Sequence, residues 1–405
     1  MEKTCKVCGS LNVHKVLDFG SMPSANNLVT KDELNSVKSY PLAYYWCGDC
    51  TFFQQIEMIS REQLFGGFYV YQTGVSSPAV KHFEELARNL KEKIAKRDFA
   101  VVVASNDGTE IEMIKNFGGF GKVIGVEPND LADIANSRGL HTIKEFFGKD
   151  TASRIVDVYG KADLVVANNV FAHIPDPIDF LSGMKMLLND GGRIVVEVHW
   201  LKSLIDDLQI DALYGEHYYV WSAKAMHTVA NVCGLKISEM EYLEGQHGGS
   251  IRTTFCLSGI GKELEAFYAE ERRSGIYDAG SMKELQKRAD ERRDRFVKLI
   301  EGLRAENKNV SVWAVPAKIV TLLNYSGMSD RQIKCAYDNT PTKIGRFIPV
   351  ANIRIKDEKE IVNDMPDCLI VGAWNYLDFA KKKFGWYLER GGILIDPLKC
   401  EIIRK

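Results

Sequence analysis

The densest group of ionisable side chains in the 405-residue chain lies in the segment Tyr214–Gly215–Glu216–His217–Tyr218–Tyr219. A phenol, a carboxylate and an imidazole are the side chains best suited to proton transfer near neutral pH. We expect Glu216 to raise the basicity of His217 or to fix its tautomer, provided that the fold brings the two together. A surface loop with an incidental histidine is the alternative that these residues leave open.

A second segment is rich in small polar residues. The apolar run from Phe99 to Ala104 is followed by Ser105–Asn106–Asp107–Gly108–Thr109, and a later apolar run ends in Glu127. The pattern predicts a strand, a tight loop, a helix and a second strand ending in an acid, as in the nucleotide-binding half of a doubly wound α/β sheet. Because the loop is not a G-x-G-x-x-G sequence, an ordinary β-α-β turn remains the alternative.

Polar residues follow two further predicted strands. Asn168 and Asn169 end the third strand of this α/β pattern, where open sheets place their ligands, and can bond a cofactor's polar edge. The segment Gln246–His247–Gly248–Gly249–Ser250–Ile251–Arg252 precedes another strand. Its glycines permit close backbone approach, and Arg252 can bind an anion such as a diphosphate. The aromatic segment Phe65–Tyr71 is either a lid over a ligand or a packing surface between domains.

Four of the nine cysteines form two C-x-x-C pairs, Cys5 with Cys8 and Cys47 with Cys50. Each pair presents two thiolates to one metal, and two pairs complete a tetrahedral zinc site. Such a site has no open coordination position, so we expect it to be structural. Two redox dithiols are the alternative, but they lack the β-α-β context that such motifs have.

The composition limits the class of protein. A chain of 405 residues should form two or three domains. The net charge of −2 and the dispersed Lys and Arg residues argue against nucleic acid as a partner. No N-terminal signal segment is evident, and no apolar run approaches the ~20 residues of a membrane helix. We therefore expect a cytoplasmic protein with no membrane partner.

Hydrophobic periodicity predicts where the elements that position these residues lie. Strands are expected at Phe99–Ala104, Lys122–Val126, Ala162–Asn168 and Arg193–His199, with a turn at Asp190–Arg193 and linking helices within residues 259–308. A second α/β unit is expected from strands at Val310–Val315, Cys335–Asp338, Cys368–Ala373 and Ile393–Ile395 and a helix at Ile319–Tyr325. Lys318, Lys343 and Arg346 are expected to face a phosphate across the cleft between the two units. The predicted domains are residues 1–60, 61–258 and 259–405.

The order of the motifs resembles that of one known family. The motifs are the two C-x-x-C pairs, Ser105–Thr109, Gly125–Pro128, Ala167–Asp176, Tyr214–Tyr219, His247–Arg252, Leu322–Tyr325 and Ile344–Pro349. Over essentially its whole length the chain resembles the S-adenosylmethionine-dependent C-methyltransferases that act on nucleotide-linked deoxy-keto sugars. The resemblance implies an α/β fold with a class I methyltransferase Rossmann-like central domain, a small N-terminal four-cysteine zinc module and a C-terminal Rossmann-like domain.

The resemblance also implies roles for individual residues. The cofactor-binding residues would be Ala104, Ser105, Asn106, Asp107, Gly108, Glu127, Asn168 and Asn169. The catalytic residues would be His217 as the favoured base, with Tyr214, Glu216 and Tyr71. The resemblance implies His247 and Arg252 as substrate-binding residues, to which the positions of His173, Lys318 and Arg346 in the sequence add three further candidates. The family's usual Glu-x-Gly before the loop is here Val102–Val103–Ala104, and its Glu-Val-Pro-Tyr is Glu197–Val198–His199–Trp200. Loss of the first acid is expected to weaken cofactor binding.

The reaction that the resemblance implies is methylation of a carbon beside a ketone. His217 would remove a proton from that carbon, and His173, His247 or Tyr71 would donate a hydrogen bond to the enolate oxygen. The expected partner is a nucleotide-linked keto sugar, and the expected assembly is a monomer or homodimer. The alternatives are O- or N-methylation of a nucleotide sugar, and a non-catalytic nucleotide-binding scaffold on which the zinc module is a docking site.

Overall fold

The computed structural model describes residues 3–65, 72–245, 248–259 and 263–405. Within these ranges the strands form three sheets, one in the N-terminal region and two of seven strands each. Among the described helices, none has both the length and the apolar character that crossing a membrane requires. The division into three domains stays a prediction.

The N-terminal region supplies three antiparallel strands and two helices. The strands are β1 (Val13–Pro23), β2 (Ser39–Cys47) and β3 (Phe53–Gln54), and the helices are α1 (Arg61–Phe65) and α2 (Ser77–Lys93). Helix α2 begins with Pro78 in its first turn, where the missing N–H costs nothing, as the sequence predicts. Its apolar stripe, which includes Phe83, Leu86 and Leu90, is buried against the central sheet.

The central region alternates strands and helices. Its strands are β4 (Phe99–Val103), β5 (Lys122–Val126), β6 (Thr142–Ile143), β7 (Ala162–Asn168), β8 (Leu188–His199), β9 (Tyr219–Val220), β10 (Lys236–Leu243) and β11 (Ser250–Cys256). Its helices are α3 (Thr109–Asn116), α4 (Leu131–Ser137), α5 (Lys149–Tyr159), α6 (Pro177–Leu187), α7 (Leu201–Asp206) and α8 (Ala223–Val232). Strand β9 leaves this region and pairs with β3, so it becomes the fourth strand of the N-terminal sheet.

The central sheet has the strand order β10-β11-β8-β7-β4-β5-β6. Strands β8, β7, β4, β5 and β6 are parallel, and β11 lies antiparallel to β8 between it and β10. Every residue of β4 and of β7 is buried, as expected for parallel strands covered by helices on both faces. This is the fold of a class I methyltransferase, with β4 at the point where the strand order reverses.

Strand β8 differs from its predicted form. We expected a turn at Asp190–Arg193, but the strand begins at Leu188 and continues through Gly191, which has a φ of +81°. The pairing with β7 jumps between Ala162 and Leu164, so the extra residues of β8 form a bulge. Gly191 therefore lies in a bulge within the strand, where its positive φ is permitted, and it does not form a turn between two elements.

A helical segment and a second parallel sheet complete the chain. The helices α9 (Glu265–Arg273), α10 (Ala279–Lys283) and α11 (Leu285–Ala305) confirm the predicted helical linker. The sheet contains β12 (Val310–Trp313), β13 (Ala336–Asp338), β14 (Phe347–Ile348), β15 (Ile353–Asp357), β16 (Cys368–Val371), β17 (Ile393–Asp396) and β18 (Glu401–Ile403). Its helices are α12 (Ala317–Tyr325), α13 (Ile361–Asp364), α14 (Leu377–Lys383) and α15 (Gly385–Glu389).

The strand order of this second sheet is β14-β15-β13-β12-β16-β17-β18, with a parallel centre and an antiparallel strand at each edge. Strand β12 is shorter than predicted because Ala314 has a φ of +63°, which interrupts the extended backbone, and β16 ends at Val371, two residues before its predicted end. A Cβ at Gly372 would lie 2.1 Å from the Ala314 carbonyl oxygen, so the loops after these two strands meet closely.

Arg292 of α11 joins the central and C-terminal regions. Its side chain is 1% exposed and donates to the carbonyl of Leu208 (2.6 Å). The same guanidinium donates to the carbonyls of Pro397 (3.2 Å) and Leu398 (3.1 Å) and pairs with Asp211. One buried cation therefore satisfies acceptors from two regions, which fixes how the two sheets face each other.

We predict that Arg292→Met lowers the free energy of unfolding by about 3–5 kcal/mol, because it leaves the buried Asp211 carboxylate without its cationic partner and removes the guanidinium's bonds to three carbonyls. The neighbouring variant Arg293→Met removes a partly exposed guanidinium that pairs with Asp290 and Asp294, and should cost less than about 1 kcal/mol. Urea unfolding of both variants measures the difference. Equal destabilisation by the two variants would contradict the assignment.

Candidate active site

A cavity of about 860 Å³ lies between the two parallel sheets. It is bounded by the carboxyl ends of β4, β5, β7 and β8 on one side and of β12 and β13 on the other. Open α/β sheets bind ligands at this end of their strands, and the volume suits a ligand larger than a single metabolite. The two halves of the chain thus contribute to one site.

The loop after β4 forms part of the cavity wall and has an unusual backbone. Ala104 and Asn106 adopt φ values of +56° and +51°. The Asn106 amide donates to the Glu127 carboxylate at 2.9 Å, so the acid after β5 holds the loop after β4. Ser105 is 2% exposed, and its hydroxyl has no hydrogen-bond partner among the described residues. Ala104, Ser105, Asn106 and Glu127 all line the cavity, as predicted for cofactor-binding residues.

Asp107 and Gly108 shape this loop from behind. The Asp107 carboxylate accepts from the Gly74 amide (2.9 Å) and the Thr109 hydroxyl (2.7 Å), so it joins the first residue of α3 to the segment before α2. Gly108 has a φ of +84°, and a Cβ there would lie 2.7 Å from Leu140. Both were predicted to bind cofactor, but in the structure neither lines the cavity. Their contribution is to hold the backbone of the loop in place.

Glu127 meets the requirements of an acceptor for ribose hydroxyls. It is 4% exposed and lines the cavity at the end of β5. Burial raises the pKa of its carboxyl to about 7, against the opposing hydrogen bonds from the Asn106 and Asn129 amides. Asn168 and Asn169 line the same cavity beyond β7. These residues, with the unpartnered Ser105 hydroxyl, fit a nucleoside cofactor lying across the ends of β5, β4 and β7.

Hydrogen bonds at both ring nitrogens fix the orientation of the His217 imidazole. Its Nδ1 lies 2.7 Å from the Ala212 carbonyl oxygen and its Nε2 lies 2.7 Å from the Tyr214 hydroxyl. Because a carbonyl oxygen only accepts, Nδ1 carries the proton, and Nε2 accepts from the hydroxyl. The two rings also stack with centroids 3.9 Å apart. Tyr214 and His217 both line the cavity, so this pair presents a basic site to it.

Glu216 has a different role from the one expected. Its carboxylate is 1% exposed and accepts from the Ser24 hydroxyl (2.8 Å) and the amides of Asn26 (2.9 Å) and Ala25 (3.4 Å). These donors belong to the segment between β1 and β2. The carboxylate is thus turned toward the N-terminal sheet, where it anchors the segment that carries His217, and it does not line the cavity.

Two further side chains of the N-terminal sheet hold the same segment. The Tyr44 hydroxyl donates to the His217 carbonyl (2.6 Å), and the Gln55 side-chain amide donates to the carbonyls of Tyr214 (3.1 Å) and His217 (2.8 Å). The Gln55 backbone amide donates to the Tyr218 carbonyl at 2.7 Å. His217 is therefore placed by contacts that originate up to about 170 residues earlier in the chain.

His173 lies beside His217, with ring centroids 4.8 Å apart. Its Nδ1 donates to the Glu216 carbonyl at 2.7 Å, and burial lowers its pKa to about 4. Because its Nδ1–H is already donated, a hydrogen bond from His173 to an enolate oxygen would have to come from Nε2. His173 lines the cavity as predicted, and its role as a donor to substrate stays a prediction.

The other predicted substrate residues have different positions. Lys318 lines the cavity at the start of α12, with its ammonium 4.1 Å from the centre of the Trp374 ring, and burial lowers its pKa to about 8. Arg346 instead donates to the Leu28 and Thr342 carbonyls, and Arg252 pairs with the buried Glu197. Neither arginine lines the cavity. Tyr71 and His247 lie outside the described residues.

Several cavity residues escaped the sequence analysis, among them Glu110, Phe146 and Phe147. Glu110 lies on the buried face of α3, one turn before Ile114, and this charged residue at an apolar position was the available signal. Phe146 and Phe147 line the cavity beyond β6, where aromatic residues cannot be distinguished from core residues by type alone.

The four paired cysteines converge as predicted. The Sγ atoms of Cys5 and Cys50 are 3.5 Å apart, those of Cys8 and Cys47 are 3.6 Å apart, and all four lie within 4.8 Å of one another. Zn–S bonds of about 2.3 Å in a tetrahedron place sulfurs about 3.8 Å apart, so the donor set fits zinc. The site packs among core residues of the first two sheets, away from the cavity, which agrees with a structural metal.

Family models match three parts of this chain. Residues 5–65 match a model described as "Putative zinc binding domain", residues 82–239 a methyltransferase domain, and residues 245–398 a C-methyltransferase C-terminal domain. The C-methyltransferase NovU of Streptomyces niveus is 30% identical over 402 residues, which span 97% of this chain and 95% of that protein. The similarity thus includes the zinc module, the cofactor loop and the C-terminal sheet.

Solved methyltransferase structures match less of the chain. The magnesium protoporphyrin IX methyltransferase of Synechocystis PCC 6803, solved with bound S-adenosylmethionine, gives a TM-score of 0.33 at 11% identity and covers 44% of this chain and 79% of its own. An O-methyltransferase family protein from Burkholderia thailandensis gives 0.36 at 14% identity and covers 46% and 57%. These scores are too low to support an argument about this site.

We predict that Cys47→Ser removes the zinc from the N-terminal sheet and lowers the melting temperature by on the order of 5–10 °C, because three thiolates bind zinc more weakly than four. The matched control is Cys233→Ser, which changes a buried thiol beside the Ser182 hydroxyl. Metal analysis should find one zinc per chain in wild type and control. Full zinc content in Cys47→Ser would refute the assignment.

Proposed function

The chain belongs to the C-methyltransferase family, and we propose that it methylates the carbon next to the ketone of a nucleotide-linked deoxy-keto sugar. The enzyme depends on S-adenosylmethionine, as its methyltransferase domain implies. The observation that carries the proposal is the Tyr214–His217 pair, whose acceptor nitrogen lies at the cavity that the cofactor loop also lines. Carbon methylation needs such a base because a C–H bond must first lose its proton.

The first step is removal of a proton from the carbon beside the ketone. That carbon is acidic because its electron pair can delocalise onto the carbonyl oxygen, giving an enolate. The proton is received by the Tyr214–His217 pair and resides on His217 Nε2, directly or through the phenol. The Nδ1–H bond to the Ala212 carbonyl then stabilises the imidazolium that forms.

Bond formation follows between the enolate carbon and a methyl group. S-adenosylmethionine, when bound, supplies that methyl from a sulfonium centre, which leaves as a neutral thioether. The residues that would hold the cofactor are the loop from Ala104 to Asn106, Glu127 at the ribose, and Asn168 beyond β7. Tyr71 and His247 stay predicted donors to the enolate oxygen.

The nucleotide half of the substrate is assigned to the C-terminal side of the cavity. Lys318 lines this side, and its charge suits a diphosphate. Lys343 and Lys383 also line it, but they pair with Asp338 and Glu358, so a diphosphate would share them with these carboxylates. Lys343 also donates to the Val315 carbonyl at 2.9 Å, which holds it beside the first loop of the second sheet. Phe379, which is 56% exposed and stacks against Trp313, offers a flat apolar surface for a base.

We predict that His217→Gln reduces deuterium exchange at the carbon beside the ketone by about 100-fold or more. Wild-type enzyme is incubated in deuterated water with a nucleotide-linked keto sugar and S-adenosylhomocysteine, which occupies the cofactor site without supplying a methyl. Proton NMR follows the loss of the C–H signal. Undiminished exchange in His217→Gln would exclude His217 as the base.

A companion variant separates the two members of the pair. Tyr214→Phe keeps the ring that stacks on His217 but removes the hydroxyl that bonds Nε2, so exchange should fall by about 10-fold or more while S-adenosylhomocysteine affinity stays unchanged. Carbon NMR of the methylated product then distinguishes C-methylation from O- or N-methylation. A product methyl bonded to oxygen or nitrogen would refute the proposed reaction.

A further inference from the structure

A buried carboxylate in the cavity has no role in the mechanism described above. Glu110, the second residue of α3, is 5% exposed and lines the cavity next to the loop after β4. Within the described residues it forms no ion pair with a lysine or arginine. Its one hydrogen bond recorded there comes from the Asn168 side-chain amide, at 2.6 Å. A carboxylate removed from water in this way normally has a cationic partner.

Asn168 provides an independent sign that a donor is missing. Its residue is 8% exposed, it lines the same cavity, and its Oδ1 has no hydrogen-bond partner among the described residues. The Nδ2 of the same amide group donates to Glu110, so the unpartnered Oδ1 lies close to that carboxylate. A buried acceptor without a donor is costly. The two side chains therefore form a small site that contains only acceptors.

The charges around Glu110 favour a cationic ligand. Glu197 of β8, which is fully buried, is neutralised by Arg252 of β11 (3.0 Å) and lies 2.9 Å from His82 of α2. Arg252 also lies 3.6 Å from Glu241 of β10. Burial, and then the charge of Glu197, raises the pKa of Glu110 to about 8. The ionised form of Glu110 thus needs a positively charged partner, and the nearby Arg252 is already paired with Glu197 and Glu241.

The position of the site within the sheet identifies which part of the cofactor is near. Strand order places β4 between β5 and β7, with Glu127 at the β5 end and Asn168 at the β7 end. A cofactor whose ribose contacted Glu127 would place its amino-acid portion along the β4 loop, on the side of Asn168. The acid expected two residues before Ala104 is replaced by Val102, which is fully buried among apolar side chains. Glu110 is a carboxylate at that end of the cavity.

We propose that Glu110, together with the Asn168 amide oxygen, binds the α-ammonium group of the methionyl portion of S-adenosylmethionine. The carboxylate supplies the charge and the amide oxygen a second acceptor, so the ammonium satisfies both. This inference rests on the S-adenosylmethionine dependence of the enzyme and does not depend on the sugar. It explains how the chain can bind the cofactor although the acid expected on β4 is absent.

The test compares two ligands that differ in the proposed contact. S-adenosylhomocysteine carries the ammonium group, whereas 5′-methylthioadenosine has the same nucleoside and sulfur but no amino acid. Glu110→Gln should weaken S-adenosylhomocysteine by about 10- to 100-fold, the effect of losing a charge-assisted bond, and should change methylthioadenosine affinity by less than about threefold. Isothermal titration calorimetry measures both, and the control Glu84→Gln changes a surface carboxylate paired with Arg88.

A second readout is the proton balance of binding. Because Glu110 must ionise to pair with the ammonium, wild-type enzyme at pH 7 should release up to one proton on binding S-adenosylhomocysteine, measured in buffers of different ionisation heat. Its affinity should rise from pH 6 to pH 8, relative to methylthioadenosine, which corrects for the titration of Glu127. In Glu110→Gln both the excess proton release and the excess pH dependence should disappear.

Each outcome decides the proposal. Selective loss of S-adenosylhomocysteine affinity with loss of the linked proton supports it. Unchanged affinity for S-adenosylhomocysteine in Glu110→Gln, or an equal loss for both ligands, overturns it, because an equal loss means that Glu110 maintains the shape of the whole site. Retained methylthioadenosine binding shows that the variant is folded. Failure of the sugar proposal would leave these binding results unaffected, since no sugar is present.

Discussion

The pairing of β3 with β9 is the interaction on which the active site depends. Through it, a strand of the central region becomes the fourth strand of the N-terminal sheet, and the segment before β9 carries His217. Buried donors from the same sheet, among them Tyr44 and Gln55, saturate the carbonyls of this segment. A base must be held to within a fraction of an ångström to act, so the proposed role of His217 depends on this contact with the N-terminal sheet.

Buried acids are used in three different ways around the cavity. Glu216 is satisfied by backbone and hydroxyl donors and fixes a segment in place. Glu197 is satisfied by a guanidinium and an imidazole and belongs to the sheet. Glu127 and Glu110 line the cavity with raised pKa values of about 7 and about 8. The partners of each carboxylate, and not its residue type, determine whether it is structural or available to a ligand.

The loops that line the cavity begin in the same way in both parallel sheets. Ala104 after β4 and Ala314 after β12 both adopt positive φ, at a cost of roughly 1 kcal/mol each for a residue with a Cβ. At each of these two residues the backbone turns away from its sheet, and both residues line the cavity. Arg292 and its carbonyl partners connect the central and C-terminal regions, so that the carboxyl ends of the two sheets face one cavity.

The sequence by itself determined the local features of this protein. The strand before the cofactor loop, the acid at Glu127 and the convergence of the four cysteines all follow from periodicity and short spacing, which local chemistry decides. The family was recognisable for the same reason, since its motifs are short. Only the tertiary structure decided which ionisable groups act together. Glu216 and His217 are adjacent in sequence, yet Glu216 points to the N-terminal sheet and His217 to the cavity, whereas Glu110 and Asn168 are separated by 58 residues and touch. Such pairings arise from strand order and from the burial of charge, which depend on contacts between distant segments.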